Sequence, residues 1–178
     1  MVSSTPYPEC ITLTVSPEML LSQAEGMMEK YPNTQPRILR YAVEAAWISG
    51  KWDVLERNLE KSNEHTENLY ELRVGNALRA LRKRDNGTFA KAISLARECV
   101  LSGLTESFTG SLRECHESMV KLHALSELEE ISAASASKDL GKDVLAPNLR
   151  RRLDVLGTYS KDKQHLLALR RAAFVLSR

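Results

Sequence analysis

Gly50 stands between Trp47 and Trp52, the only two tryptophans in the chain, and no other stretch restricts the possible folds so strongly. The run Ala45-Ala46-Trp47-Ile48-Ser49-Gly50-Lys51-Trp52-Asp53-Val54-Leu55-Glu56 reads as one helix stopping at a glycine and a second starting almost at once. Glycine takes the left-handed conformation that closes a helix without a Cβ penalty. Two antiparallel helices joined this way share an apolar seam, and an indole on each side of the bend helps to fill it. Burying one indole removes roughly 150–250 Å² from water, about 4–6 kcal/mol gross at ~25 cal/mol per Å², before ordering costs. Such a hairpin is the unit of a helical repeat, not a place where chemistry occurs.

The rest of the chain repeats the helical pattern. Residues 1–15 carry Pro6, Pro8 and a β-branched run, and read as irregular. Ser16-Pro17-Glu18 is a helix start, with a capping hydroxyl, proline at the first position and an acid at the positive end. That helix is expected to reach Lys30, before the turn Tyr31-Pro32-Asn33-Thr34-Gln35-Pro36. A second spans about Arg37 to Ser49, and a third Trp52 to Lys61, followed by a polar linker over 62–66. A fourth covers Glu67 to Arg84. Asp85-Asn86-Gly87 then makes a turn, and Thr88 caps a helix whose seam is Phe89, Ala92, Ile93 and Ala96, ending at Ser102-Gly103. Phe108, Leu112, Cys115, Met119, Leu122 and Leu125 recur at helical spacing and predict a long helix from Glu106 to Ile131. Residues 132–143 are small and polar, predicting a flexible loop near 132–145. Pro147 opens a short helix with Leu149, Leu153 and Leu156, and Ser160 caps a last one through Leu166, Leu167, Leu169, Ala173, Phe174 and Leu176.

The expected fold is therefore all-α: an α-solenoid of antiparallel helix pairs, tetratricopeptide- or HEAT-like, with about eight helices over residues 16–178. Its packing is expected to rest on Trp47, Gly50, Trp52, Leu55, Leu122, Leu125, Leu169 and Phe174. The last helix still shows an apolar face at Phe174 and Leu176, which predicts an excerpt from a longer solenoid whose next helix covers them.

Composition agrees with a packed helical protein. The 178 residues are 43% hydrophobic and only 6% aromatic, so aliphatic side chains must fill the interior. A net charge of +2 is far from that of a strongly basic nucleic-acid module. Cys10, Cys99 and Cys115 are odd in number and lack metal-binding spacing, as expected of reduced thiols in a cytosolic or nuclear protein. No apolar run approaches the roughly 20 residues of a membrane span, and residues 1–10 do not resemble a signal peptide. The chain reads as soluble and intracellular.

Candidates for chemistry are few. His116 and His123 lie near one helical face beside Cys115, and His65 and His165 stand apart; a zinc site needs three or four ligands, so none is assigned. No phosphate-binding, nucleophile-elbow or zinc-protease motif occurs, nor the Asp and Asn of a kinase catalytic loop. Glu127, Glu129 and Glu130 read as a solvated face. The basic groups Arg82-Lys83-Arg84, Arg150-Arg151-Arg152 and Arg170-Arg171 read as solvated faces or as partners of acids on neighbouring helices. Ser22-Gln23 and Thr34-Gln35 match a checkpoint-kinase phosphorylation dipeptide, a pattern short enough to recur by chance. The segment carries no catalytic, cofactor or metal residues on this reading.

Several blocks together resemble a known family. Tyr41-Ala42-Val43-Glu44-Ala45-Ala46-Trp47 through Gly50-Lys51-Trp52-Asp53 is similar to the FAT region of the phosphatidylinositol-3-kinase-related protein kinases. Arg73-Val74-Gly75 with Leu81-Arg82-Lys83-Arg84-Asp85, the run from Met119 to Glu129, and Leu167-Ala168-Leu169-Arg170-Arg171-Ala172 follow in the family's order. These blocks resemble the ATR-type checkpoint kinases most; TOR-type kinases share the tryptophan-flanked bend and are the nearest rival. Residues 1–30 show no match. The resemblance implies a helical collar around a serine/threonine kinase domain of the same chain. It also implies a nuclear role in DNA damage and replication stress, an ATRIP-type partner, and ATP with magnesium used by the parent kinase alone. A free-standing tetratricopeptide-like adaptor that holds peptides is the alternative from another class. Neither reading expects direct nucleic-acid or membrane binding.

Overall fold

The computed structural model describes residues 16–63, 66, 68–106, 112–136, 142–156 and 160–177. Residues 1–15, His65, Phe108 and Gly110, on which the sequence carries expectations, lie outside the described residues. All regular structure among the described residues is helical, in the order α1 (Pro17–Lys30), α2 (Gln35–Ile48), α3 (Trp52–Glu60), α4 (Tyr70–Arg82), α5 (Asn86–Glu106), α6 (Leu112–Ala136), α7 (Lys142–Val155) and α8 (Ser160–Leu176). The chain divides into two compact units at Thr66 and Glu67.

In the first unit, α1 begins as its sequence dictates. Ser16 Oγ accepts from Met19 N at 3.3 Å, with Pro17 at the first helical position. Helix α2 starts earlier than expected, at Gln35, because a proline is tolerated in a first turn where its missing N–H is not needed. A 3₁₀ turn at Pro32–Thr34 leads into it. Helix α2 packs against both α1 and α3. Its Ala42, Ala45 and Ala46 are almost fully buried, so the neighbouring backbones approach closely. The unit ends in a closed polar turn: Asn63 N donates to Thr66 Oγ1 at 2.9 Å, and Thr66 N donates to Asn63 Oδ1 at 3.1 Å.

In the second unit, successive helices pack as neighbours: α4 on α5, α5 on α6, and α6 on both α7 and α8. Helix α8 also lies against α4, so α4, α5, α6 and α8 surround a common core. Helix α4 is accordingly buried on more than one face, with Leu72, Val74, Ala77 and Leu78 at 1% exposure or less. The predicted seam of α5 is buried, and Val100 extends it.

Four predicted boundaries move. Asp85, not Thr88, caps α5: Thr88 N donates to Asp85 Oδ1 at 3.0 Å and Thr88 Oγ1 to Asp85 Oδ2 at 2.5 Å. Helix α5 runs through Ser102-Gly103 to Glu106, because a glycine inside a helix costs only about 1 kcal/mol relative to alanine. Helix α6 continues to Ala136, so 132–136 is helix where a loop was expected; alanine and serine permit either state. Residues 142–145 belong to α7, and 137–141 lie outside the described residues. Pro147 sits inside α7 instead of opening it. The face of α6 is partly turned: of the predicted stripe Leu125 is buried, but Cys115 and Met119 are exposed and Leu122 is half-buried, while Val120, Ala124, Leu128 and Ile131 join Leu125 in the core.

Candidate functional site

The tryptophan-flanked bend has the geometry its sequence demands. Gly50 has φ of 68°. Its N–H donates to Trp47 O at 3.2 Å, and Lys51 N donates back to Ala46 O at 2.9 Å. These two bonds close α2 as a Schellman turn. Trp47 is 2% exposed and Leu55 is 1% exposed, while Trp52 is half-buried at the start of α3. The same turn closes α4, with Arg84 at φ 55° in the glycine position; Arg84 N donates to Leu81 O and Asp85 N to Ala80 O, both at 3.0 Å. Leu125 and Leu169 are buried and Leu122 is half-buried, but Phe174 is 39% exposed and Leu176 half-buried, so Phe174 is not a core residue here.

The main concentration of buried charge is on α6, at the three glutamates read from sequence as a solvated face. That reading fails. Each glutamate meets an arginine from a different helix. Glu127 is 1% exposed and takes both forks of Arg170 on α8, from Nε at 3.0 Å and from Nη2 at 2.7 Å. Arg170 Nη2 also donates to Leu149 O on α7 at 2.9 Å. Glu129 accepts from both guanidinium nitrogens of Arg97 on α5, one at 2.7 Å. Glu130 pairs with Arg152 on α7. Successive residues of an α-helix turn by about 100°, so acids at three nearby positions point to three separate neighbours.

The electrostatics follow from burial. The pair Glu127–Arg170 is almost dry, with side chains 2% and 14% exposed, so neither partner can lose the other without stranding a charge. Arg97 and Glu129 are 35% and 41% exposed, and water screens much of their attraction. The bond to Glu129 raises the Arg97 pKa further above its ordinary range. A fourth link joins α6 and α8, with His116 Nε2 2.7 Å from Asp162 Oδ2. Tyr70 OH donates to Lys121 O at 3.4 Å, and Lys121 Nζ lies 5.0 Å from the centre of the Tyr70 ring.

This arrangement positions helices. The three α6 glutamates are each engaged by a guanidinium, and Asp162 lies against His116. Burial raises the pKa of the Cys99 thiol, helped by nearby Glu71, which disfavours a nucleophilic thiolate. Its Sγ lies 2.8 Å from Asn68 O. Among the described residues no group of three or more His, Cys, Asp or Glu is placed to hold a metal ion, and no helix is long and apolar enough to cross a membrane. An open groove of about 510 Å³ in the first unit is lined by Glu25, Glu29, Arg57 and Lys61 among others. Arg57 and Glu25 approach to only 4.0 Å there and remain well solvated, so the groove supplies no desolvated reacting group.

Comparison with known proteins agrees with a framework. The chain is similar to the serine/threonine-protein kinase ATR of Arabidopsis thaliana, 24% identical over 132 residues, which cover 70% of this chain and 5% of that protein. It is similar also to the serine/threonine-protein kinase ATR of Oryza sativa subsp. indica, 23% identical over 123 residues, covering 65% of this chain and 4% of that protein. The chain thus spans 5% or less of the length of these relatives. The FAT domain model matches residues 39–177, leaving α1 outside the match. From α2 through α8 the residues fit one family, and the chain belongs to the FAT domain family.

Proposed function

We propose that this chain is a non-catalytic helical scaffold segment of an ATR-like serine/threonine protein kinase. In this reading it supports and regulates a kinase domain elsewhere in the same polypeptide, in the nuclear response to DNA damage and replication stress. Its partners are the remaining FAT repeats, that kinase domain and an ATRIP-type protein; ATP and magnesium serve the kinase domain alone. The observation that carries the proposal is the FAT match over residues 39–177, together with a centre whose charges are spent on joining helices. Glu127, Glu129 and Glu130 bind Arg170, Arg97 and Arg152 of three surrounding helices. Stacked helices whose contacts run to their neighbours suit such a scaffold.

The test uses a full-length kinase containing this segment. Trp47→Ala, which empties the buried seam beside Gly50, is expected to lower kcat of the kinase with KM for ATP unchanged, because the ATP site itself is untouched. Kinase activity identical to wild type in a variant whose FAT segment has lost helical signal would overturn the scaffold role. ATP-dependent phosphoryl transfer by the purified 178-residue chain would overturn the assignment as non-catalytic.

A further inference from the structure

Two charge pairs on α6 lie one helical turn apart, and they are satisfied to different degrees. Glu127 uses both oxygens on Arg170, and Arg170 adds a bond to Leu149 O. Glu130 and Arg152 share a single hydrogen bond. Their other atoms, Glu130 Oε2 and Arg152 Nη1, are buried and find no hydrogen-bond partner among the described residues. A desolvated ion pair holds firmly only when its remaining lone pairs and protons are also satisfied. The pair that anchors α8 meets that condition. The pair that anchors α7 does not.

Packing shows the same contrast. Helix α8 buries Leu166, Leu169, Ala172 and Ala173 and lies against both α6 and α4. Helix α7 packs chiefly on α6. Among its described side chains the buried apolar anchors are Leu149 and, just past its end, Leu156, whereas Val155 is 60% exposed. Pro147 inside α7 removes a backbone donor from the ladder and weakens the helix from within. A hydrogen bond from Arg170 to Leu149 O ties α7 to α8. Breaking it leaves Arg170 still forked on Glu127.

We propose that α7 is a strap over α6, latched by the half-satisfied Glu130–Arg152 pair, which opens as its own unit while α8 stays docked. Opening returns both half-buried charges fully to water and frees the Leu149 carbonyl. Segments with few buried contacts and incompletely paired polar groups are where local opening occurs, below the free energy of global unfolding. The strap is thus a built-in place where a partner or a neighbouring repeat can alter the second unit without dismantling its core.

Hydrogen exchange with mass spectrometry on the 178-residue chain tests this. In the native chain, α7 amides are expected to exchange at least about tenfold faster than the buried amides of α6 and α8. Glu130→Gln, which leaves Arg152 without a counter-charge, is expected to speed α7 exchange by roughly 10–100-fold while α4 and α5 keep their rates. The double change Glu130→Leu with Arg152→Leu separates a latch from an ordinary stabilising pair. Removing both charges from a half-satisfied site is expected to slow α7 exchange about tenfold. Equal protection of α7, α6 and α8 in the native chain overturns the strap. So does a double leucine variant in which α7 exchanges as fast as wild type or faster.

Discussion

Gly50 and Arg84 occupy the same left-handed place in two equivalent turns, yet only one of them is glycine. A Cβ added at Gly50 meets nothing within 4 Å, so the position is selected by backbone conformation and not by space. A left-handed residue with a Cβ costs roughly 1–2 kcal/mol, offset in part by lower entropy of the unfolded chain. Gly50→Ala is therefore expected to destabilise the first unit by about 1 kcal/mol; a guanidinium titration followed by tryptophan emission reads it, since both tryptophans lie in that unit. Asp85 offers a pH-dependent counterpart. Its hydrogen bonds from the Thr88 side chain and backbone lower its pKa below the ordinary 3.8. A depressed carboxyl contributes stability above the unfolded pKa and loses it as pH falls through the folded value. Asp85→Ala is thus expected to unfold earlier than wild type at pH 7, with the gap narrowing below pH 3.8; a constant gap from pH 7 to pH 2.5 would contradict the charged cap. The Gly50 turn was legible from letters because glycine there answers a local requirement. Asp85 was misplaced by one turn because Asp and Thr are both capping residues and spacing alone does not rank them.

At the scale of the element, helices were legible and their ends were not. The existence of the eight helices among the described residues follows from apolar periodicity, while the extensions of α5 to Glu106 and α6 to Ala136 cross Gly103 and a Ser-Ala run without apolar periodicity. Gly103 and the Ser-Ala run at 132–136 stay helical because continuing an existing helix needs only one further bond per residue. The rotation of α6 has a similar origin. Cys115, Met119, Leu122 and Leu125 form a regular stripe, but a second one through Val120, Ala124, Leu128 and Ile131 competes with it, and neighbouring helices selected the second together with Leu125. Trp47→Ala probes the most buried aromatic of α2 and is expected to cost about 3–5 kcal/mol, as large-to-small core changes do. An unchanged midpoint in urea, followed by far-ultraviolet circular dichroism, would show that the ring contributes nothing to the seam.

Across the whole molecule the decisive contacts are between residues far apart in sequence. Arg170 reaches Glu127 across 43 positions and Arg97 reaches Glu129 across 32. Removing one partner of the dry pair leaves the other charge stranded, so Glu127→Ala is expected to destabilise the second unit by about 3–5 kcal/mol. Replacing both members, Glu127→Leu with Arg170→Leu, should recover most of that loss, because a packed apolar pair matches a buried ion pair in energy. Thermal unfolding followed by circular dichroism distinguishes the cases; a double variant as unstable as Glu127→Ala would mean that the charges contribute more than their mutual neutralisation.

The sequence by itself determined what depends on neighbours along the chain: helix as the regular state of the described residues, the glycine-closed bend between Trp47 and Trp52, and the blocks that resemble FAT kinases. Each is set by backbone propensity, capping chemistry or periodicity within a few turns. Tertiary structure alone decided which face of α6 turns inward, that α8 reaches back to α4, and that Glu127 is an interior tie while Glu129 and Glu130 pair with arginines of neighbouring helices. A carboxylate's environment is fixed by which helices surround it, and no local pattern encodes the approach of an arginine from a helix forty residues away.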